Sequence, residues 1–119
     1  MLQAGIAQAD ITPLEALDLS GFARRKNPSV GVLDPIMSKS LFLKNKQKSV
    51  IISSNDVLAV SAEFCQSIVQ AVSHSSPDAL LNIAASHTHS APACVSLRCC
   101  GQIDPAFIEM FHQHAAKAA

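Results

Sequence analysis

Hydrophobic and polar positions change period several times along the 119 residues. Residues 2–10 alternate weakly, with Ile6 and Gln8 set among Gly5, Ala7 and Ala9. They predict a first strand that Ile11-Thr12-Pro13 ends, because proline cannot donate to a ladder. Residues 14–34 show no clean period and hold Gly21, Pro28 and Gly31, so they read as a long loop with a short extended piece. A loop of that length in a small domain is usually functional or a sign that an element has been misread. Residues 36–43 and 49–53, the latter containing Val50-Ile51-Ile52, predict an antiparallel pair joined by a turn at Lys44-Asn45-Lys46-Gln47.

The period then becomes helical. Ser61 is placed to cap a helix reaching about Ser73, whose apolar positions Phe64, Cys65, Ile68, Val69 and Val72 share one face. Ser76-Pro77-Asp78 interrupts the chain, and residues 79–85 form an almost continuous apolar run that predicts a strand buried on both faces. Residues 86–104 are loop-like. Asp104-Pro105 starts a second helix, with Asp as cap and Pro in the first position, and Phe107, Phe111, Ala115 and Ala118 mark its buried face. The order predicts an α/β fold, a mixed sheet with packed helices. If strands 49–53 and 79–85 are parallel, the helix between them is a right-handed crossover. Phe64, Ile68, Val69, Val72, Ile51, Leu81 and Ile83 are expected to share one core.

Composition narrows the function. The chain is 49% hydrophobic and 15% charged, which supports a packed core, and its few aromatic residues include neither Trp nor Tyr. A formal net charge of zero leaves no basic stripe for a nucleic-acid backbone. The clusters Arg24-Arg25-Lys26 and 44–48 read as solvated turns. No apolar run is long enough to span a bilayer. Met1-Leu2-Gln3-Ala4 lacks the charged and apolar regions of a secretory signal, so a cytoplasmic location is expected. Cysteine usage agrees. Cys65 falls on an apolar helix face, adjacent Cys99 and Cys100 make a poor disulfide, and without a C-x-x-C a four-cysteine zinc site is not expected.

The chemistry concentrates in Ser86-His87-Thr88-His89-Ser90, just past the predicted strand 79–85. In extended backbone, residues two apart point to the same side, so the two imidazoles can converge on one ion or one substrate atom. The flanking hydroxyls can hold the histidine tautomers. Ligands commonly bind at strand ends in α/β sheets. The competing reading is structural: an isolated H-x-H is often a hydrogen-bonded, half-buried pair without a ligand.

Several segments in order carry a family likeness: Ala4-Gly5-Ile6-Ala7-Gln8-Ala9-Asp10-Ile11-Thr12-Pro13, Gly21-Phe22-Ala23, Gly31-Val32-Leu33-Asp34-Pro35, Asn55-Asp56, Ser86 to Pro92, and Gly101-Gln102-Ile103-Asp104-Pro105. Together they resemble the N-terminal part of the catalytic domain of the neutral/alkaline ceramidases, which are zinc-dependent amidases. The resemblance spans residues 1–119 as one domain, an incomplete portion of a larger catalytic domain. It implies that His87 ligates zinc and that His89 lies beside the metal, assisting substrate or oxyanion binding. It implies a small-molecule or lipid amide substrate such as an N-acyl lipid. Asp34 and Asp56 match motif positions without an assigned role, and for Asp34 turn-making is the simpler account.

The departures bear on activity. Family members are far longer, and their zinc is completed by another His, a Glu and a Tyr from later in the chain. This sequence has no Tyr, and Ala91 stands where the family commonly has Gly. Other groups in the chain are poor substitutes. His112 and His114 lie about 200° apart around a helix, with His114 near the buried stripe and His112 pointing away from it. Glu63 and Glu109 read as helix-surface charges, and His74 as a complement to a helix dipole. Three readings follow: a zinc amide hydrolase of which this chain carries part of the site, a non-catalytic truncated domain that self-associates into a homo-oligomer, and a small interaction domain whose H-x-H is structural.

Overall fold

The computed structural model describes all residues 1–119. Its elements are β1 (Gln3–Asp10), β2 (Met37–Lys44), β3 (Ser49–Asn55), α1 (Ala62–Ser73), β4 (Ala79–Ala85) and α2 (Pro105–Ala118). The four strands form one sheet in the order β1-β2-β3-β4. β1 and β3 are antiparallel to β2, and β3 and β4 are parallel. This is the expected mixed α/β fold. No helix is long and apolar enough to cross a membrane.

Each element has a local cause. The β2–β3 turn closes on Asn45, whose side-chain oxygen accepts the amides of Gln47 and Lys48 at 2.9 and 2.8 Å. Ser61 caps α1 by accepting the Phe64 amide, and Asp104 caps α2 by accepting the Phe107 amide. On α1 the buried positions Phe64, Ile68 and Val72 recur every four residues. On α2 they are Phe107, Phe111, Ala115 and Ala118. Phe64 and Phe111 stack with ring centroids 4.4 Å apart and join the two helices.

The register explains how the sheet takes these helices. One face carries the rows Gly5-Phe42-Ile51-Leu81, Ala7-Ser40-Ser53-Ile83 and Ala9-Ser38-Asn55-Ala85. Small residues dominate it, so large side chains from the helices fill the space above. Ile11, Ile51, Val57, Phe64, Ile68, Phe107 and Phe111 belong to the resulting core, against which Leu81 and Ile83 pack half-buried. Ser40 Oγ is buried there without a partner.

The opposite face carries the rows Ala4-Leu43-Val50-Leu80 and Ile6-Leu41-Ile52-Asn82, and nothing covers it. Ile6 is 87% exposed and Leu80 61%. The expectation that β4 is buried on both faces is therefore corrected. Its accessibility alternates, because helices lie on one side only. Val69 also leaves the expected core: it is 49% exposed, one step around α1 from the fully buried Ile68. The radius of gyration, 15.2 Å, exceeds the value of about 13.5 Å typical of a domain of this length.

His112 corrects another expectation. It is half-buried, edge-on to Phe64 with ring centroids 5.1 Å apart, so it faces α1 rather than pointing away from the packed stripe. Burial holds its imidazole below the ordinary value, with Glu63 acting in the opposite sense. His114 lies on the other flank of α2, its Nδ1 2.6 Å from the Asp10 carbonyl oxygen of β1.

Two stability predictions follow from this packing. Ile68→Ala should cost about 2–5 kcal/mol in urea unfolding, whereas Val69→Ala should stay within about 0.5 kcal/mol of wild type. For His112 the lowered folded pKa means the native state favours the neutral ring, so the unfolded chain takes up the proton first as pH falls. Stability should be undiminished above the unfolded value near 6.5 and decline below it. His112→Gln should lose less stability between pH 7.5 and 5 than wild type, measured by urea midpoints.

Candidate functional site

Strand directions place one set of chain ends together. β1, β3 and β4 run the same way, so Asp10, Asn55 and Ala85 lie at one edge, with the start of β2 among them. That edge is organised by Asn55, which is fully buried. Its Oδ1 accepts from Ser38 Oγ at 2.7 Å, while Nδ2 donates to Ser53 Oγ at 3.2 Å and to the Ala84 carbonyl at 3.1 Å. Its own carbonyl accepts the amides of Val57 and Ser86. Asp56 closes the edge against β2: its amide donates to the Met37 carbonyl, and Oδ2 accepts the Met37 amide. At the end of β1, the hydroxyl and amide of Thr12 hold the Asp10 carboxyl below its ordinary range.

His87 leaves this edge in a left-handed conformation, φ 63°. Only a few per cent of non-glycine residues adopt it, histidine more readily than most, and such conformations cluster at functional sites. Its amide donates to the Val57 carbonyl, and Nδ1 lies 2.8 Å from the Leu58 carbonyl oxygen. A carbonyl oxygen only accepts, so Nδ1 carries the proton and Nε2 keeps a lone pair for a ligand. This corrects the expectation that the flanking hydroxyls hold the tautomers: backbone holds that of His87, and no hydrogen bond joins either ring to Ser86, Thr88 or Ser90. Thr88 and Ser90 instead line a cavity of about 690 Å³ with Arg25, Asp56, Ile36 and Pro92.

His87 and His89 are brought together as expected, with ring centroids 5.1 Å apart and planes at 71°. The cause differs from the expected one, since the backbone at His87 is not extended. Two imidazoles bound to one tetrahedral zinc, with Zn–N distances near 2.0–2.1 Å, would have centroids about 5 Å apart. The spacing is that of two ligands on one ion, and equally that of two rings in ordinary edge-on contact. The donor set is nevertheless incomplete: no group of three or more His, Cys, Asp or Glu side chains is placed to hold a metal ion. Two imidazoles alone do not complete a metal site of the hydrolytic kind, which takes three protein ligands. Cys94 adds no donor, because burial pushes its thiol up to about 11 and keeps it protonated.

The long loop 14–34 forms one wall. Leu19 bridges Pro92, Ser20 N donates to the Ala91 carbonyl and Ala93 N to the Asp18 carbonyl. Gly21, at φ 104°, approaches the His89 ring so closely that a Cβ there would overlap it. Phe22 meets the same ring edge-on at 5.0 Å. Arg25 corrects the reading of 24–26 as a solvated turn: both guanidinium Nη atoms donate to the His89 carbonyl at 3.2 Å. Arg24 and Lys26 are exposed. Gly21-Phe22 stands out in the sequence as a motif, but nothing there marks Arg25, whose partner lies 64 residues away.

The class defined by this geometry is an α/β fold with a two-histidine motif at the carboxyl edge of its sheet. No family model and no curated protein matches the sequence. Solved structures do match. The crystal structure of neutral ceramidase from Pseudomonas aeruginosa superposes with a TM-score of 0.78 over 98% of this chain at 16% identity. A ceramidase complexed with C2 superposes with a TM-score of 0.80 over 98% at 15% identity. The chain spans 20% of the length of each. It has the fold of one portion of the neutral ceramidases.

Gly21→Ala should displace the His89 ring and strain the backbone, lowering stability by roughly 1–3 kcal/mol. The checks are a thermal melt and the shift of the His89 ring proton signals in an NMR spectrum.

Proposed function

We propose that this chain provides part of the catalytic site of a zinc-dependent amide hydrolase of the neutral ceramidase type, acting on an N-acyl lipid or a related amide. The observation that carries the reading is the imidazole pair. His87 has Nδ1 held by the Leu58 carbonyl and Nε2 left for a metal, with His89 5.1 Å away, on a fold shared with ceramidases. In this reading residues 1–119 correspond to an N-terminal segment of the catalytic domain. His87 is a metal ligand, and His89 is the neighbouring group that binds the substrate carbonyl oxygen as negative charge develops on it. When bound, the metal supplies polarisation of the amide and acidification of water. The chain's own part is to hold two imidazoles at fixed spacing, with the His87 tautomer set by the Leu58 carbonyl, and the other donors come from polypeptide outside these residues.

The uncovered apolar sheet face and the large radius of gyration favour a second reading beside the first. Taken alone, the chain is a non-catalytic portion that self-associates or docks on further structure through that face.

Zinc per chain by elemental analysis, a zinc-binding isotherm and hydrolysis of a fluorogenic N-acyl substrate test both. The 119-residue chain should bind zinc weakly, below one ion per chain after desalting, lose that binding in His87→Ala, and hydrolyse nothing measurable. Stoichiometric zinc with a rate abolished by His87→Ala would overturn the incomplete site. No zinc binding at any concentration would overturn the metal reading.

A further inference from the structure

The guanidinium of Arg25 has no part in the reading above, and its bonding is unusual for a residue of a basic cluster. Nη1 and Nη2 both donate to one oxygen, the His89 carbonyl, at 3.2 Å, and Nη1 reaches the Ser20 carbonyl at 3.4 Å. Every hydrogen-bond acceptor of this side chain is main-chain carbonyl. The guanidinium carbon also stands 5.0 Å from the centroid of Phe22, whose ring meets His89 edge-on at 5.0 Å. The Arg25 amide donates to the Phe22 carbonyl and closes the turn that carries both residues. Behind the ring, Gly21 leaves only enough room for a hydrogen.

We propose that Arg25 is a positioning residue for His89. It ties the His89 main chain to the Ser20–Phe22 turn, and the turn packs Gly21 and Phe22 against the imidazole. His87 is fixed independently, through its bonds to Val57 and Leu58. The separation of the two rings is therefore set by two anchors, one on the β3 end and one on the long loop, and Arg25 is the anchor on the loop side. The proposal rests on the reading of His87 and His89 as a working pair. A lysine is a poor substitute, because its compact ammonium has no planar fork to place two donors on the His89 carbonyl while a third contact reaches the Ser20 carbonyl.

The test uses the full 119-residue chain and four proteins: wild type, Arg25→Ala, Arg25→Lys and Arg24→Ala, the last a change at an exposed neighbour. Folding is verified by circular dichroism and a thermal melt. The first readout needs no metal: the nuclear Overhauser effect between ring protons of His87 and His89. It should be present in wild type and Arg24→Ala and lost in both Arg25 variants. The second is zinc affinity by titration, which should be unchanged in both Arg25 variants, because the ligand His87 is anchored separately through Val57 and Leu58. If Arg25→Ala does not fold, Arg25→Lys decides. Retention of the ring contact in a folded Arg25 variant would overturn the proposal, and a loss of zinc affinity in such a variant would overturn the separate anchoring of His87 on which it rests. Absence of zinc binding in wild type would instead overturn the metal reading, and the ring contact alone would then judge Arg25.

Discussion

The buried amide of Asn55 is the interaction on which the rest of the site edge depends. It sits where β2, β3 and β4 come together, and its side chain and backbone carbonyl join all three strands to the segment that leads into His87. A polar group in that position is stabilising only when fully satisfied, and here both the oxygen and the nitrogen are. Removing it would strand Ser38 and Ser53 in a dry layer, where an unpaired polar group costs about 1–3 kcal/mol. The same bonds fix the end of β3 against that of β4, so the departure point of the histidine segment is set by the core rather than by a loop.

The small inner face of the sheet makes this possible. Alanines and serines on β1, β2 and β3 leave room for Phe64, Phe107 and Phe111 from the helices to fill the layer above them. The aromatic mass of the core therefore comes mainly from the helices and the polar connections from the strands. Helices on one side alone leave a row of aliphatic side chains bare on the other. That arrangement suits a sheet meant to be one layer of a larger body, and the chain matches only a fifth of each ceramidase whose fold it shares.

The site itself is assembled from two distant pieces. Segment 86–93 brings the imidazoles, and segment 18–25 brings the wall that holds one of them. Neither piece is regular secondary structure. Each is ordered by bonds to the other, and the cost of ordering two loops is met by a bridge, a set of main-chain hydrogen bonds and a guanidinium clamp. The cavity beside them has hydroxyls, two carboxylates, the Asn27 amide and the Arg25 guanidinium at its polar positions and aliphatic side chains between, which suits a ligand with both characters.

How much of this was legible from the residues depended on the range of the interaction. Strand and helix spans, both helix caps and the Asn45 turn arise from neighbours within a few positions, and periodicity and residue type report them; the spacing of His87 and His89 pointed to their pairing, but distant contacts make it. The family motifs added the likeness to ceramidases, and the fold bears it out. What the tertiary structure alone decided lies at longer range. β4 is as apolar as a strand buried on both faces, yet one face is open, because burial depends on what is layered above it. His112 turned toward α1 because Phe64 offers a ring there. His87 entered a left-handed conformation under bonds to Val57 and Leu58, nearly thirty residues earlier in the chain. Arg25 looks like its charged neighbours in sequence and differs from them only through a carbonyl 64 residues away. Local propensity fixes which segments become strands and helices, but the contacts between them, which carry the site, exist only once the chain has closed on itself.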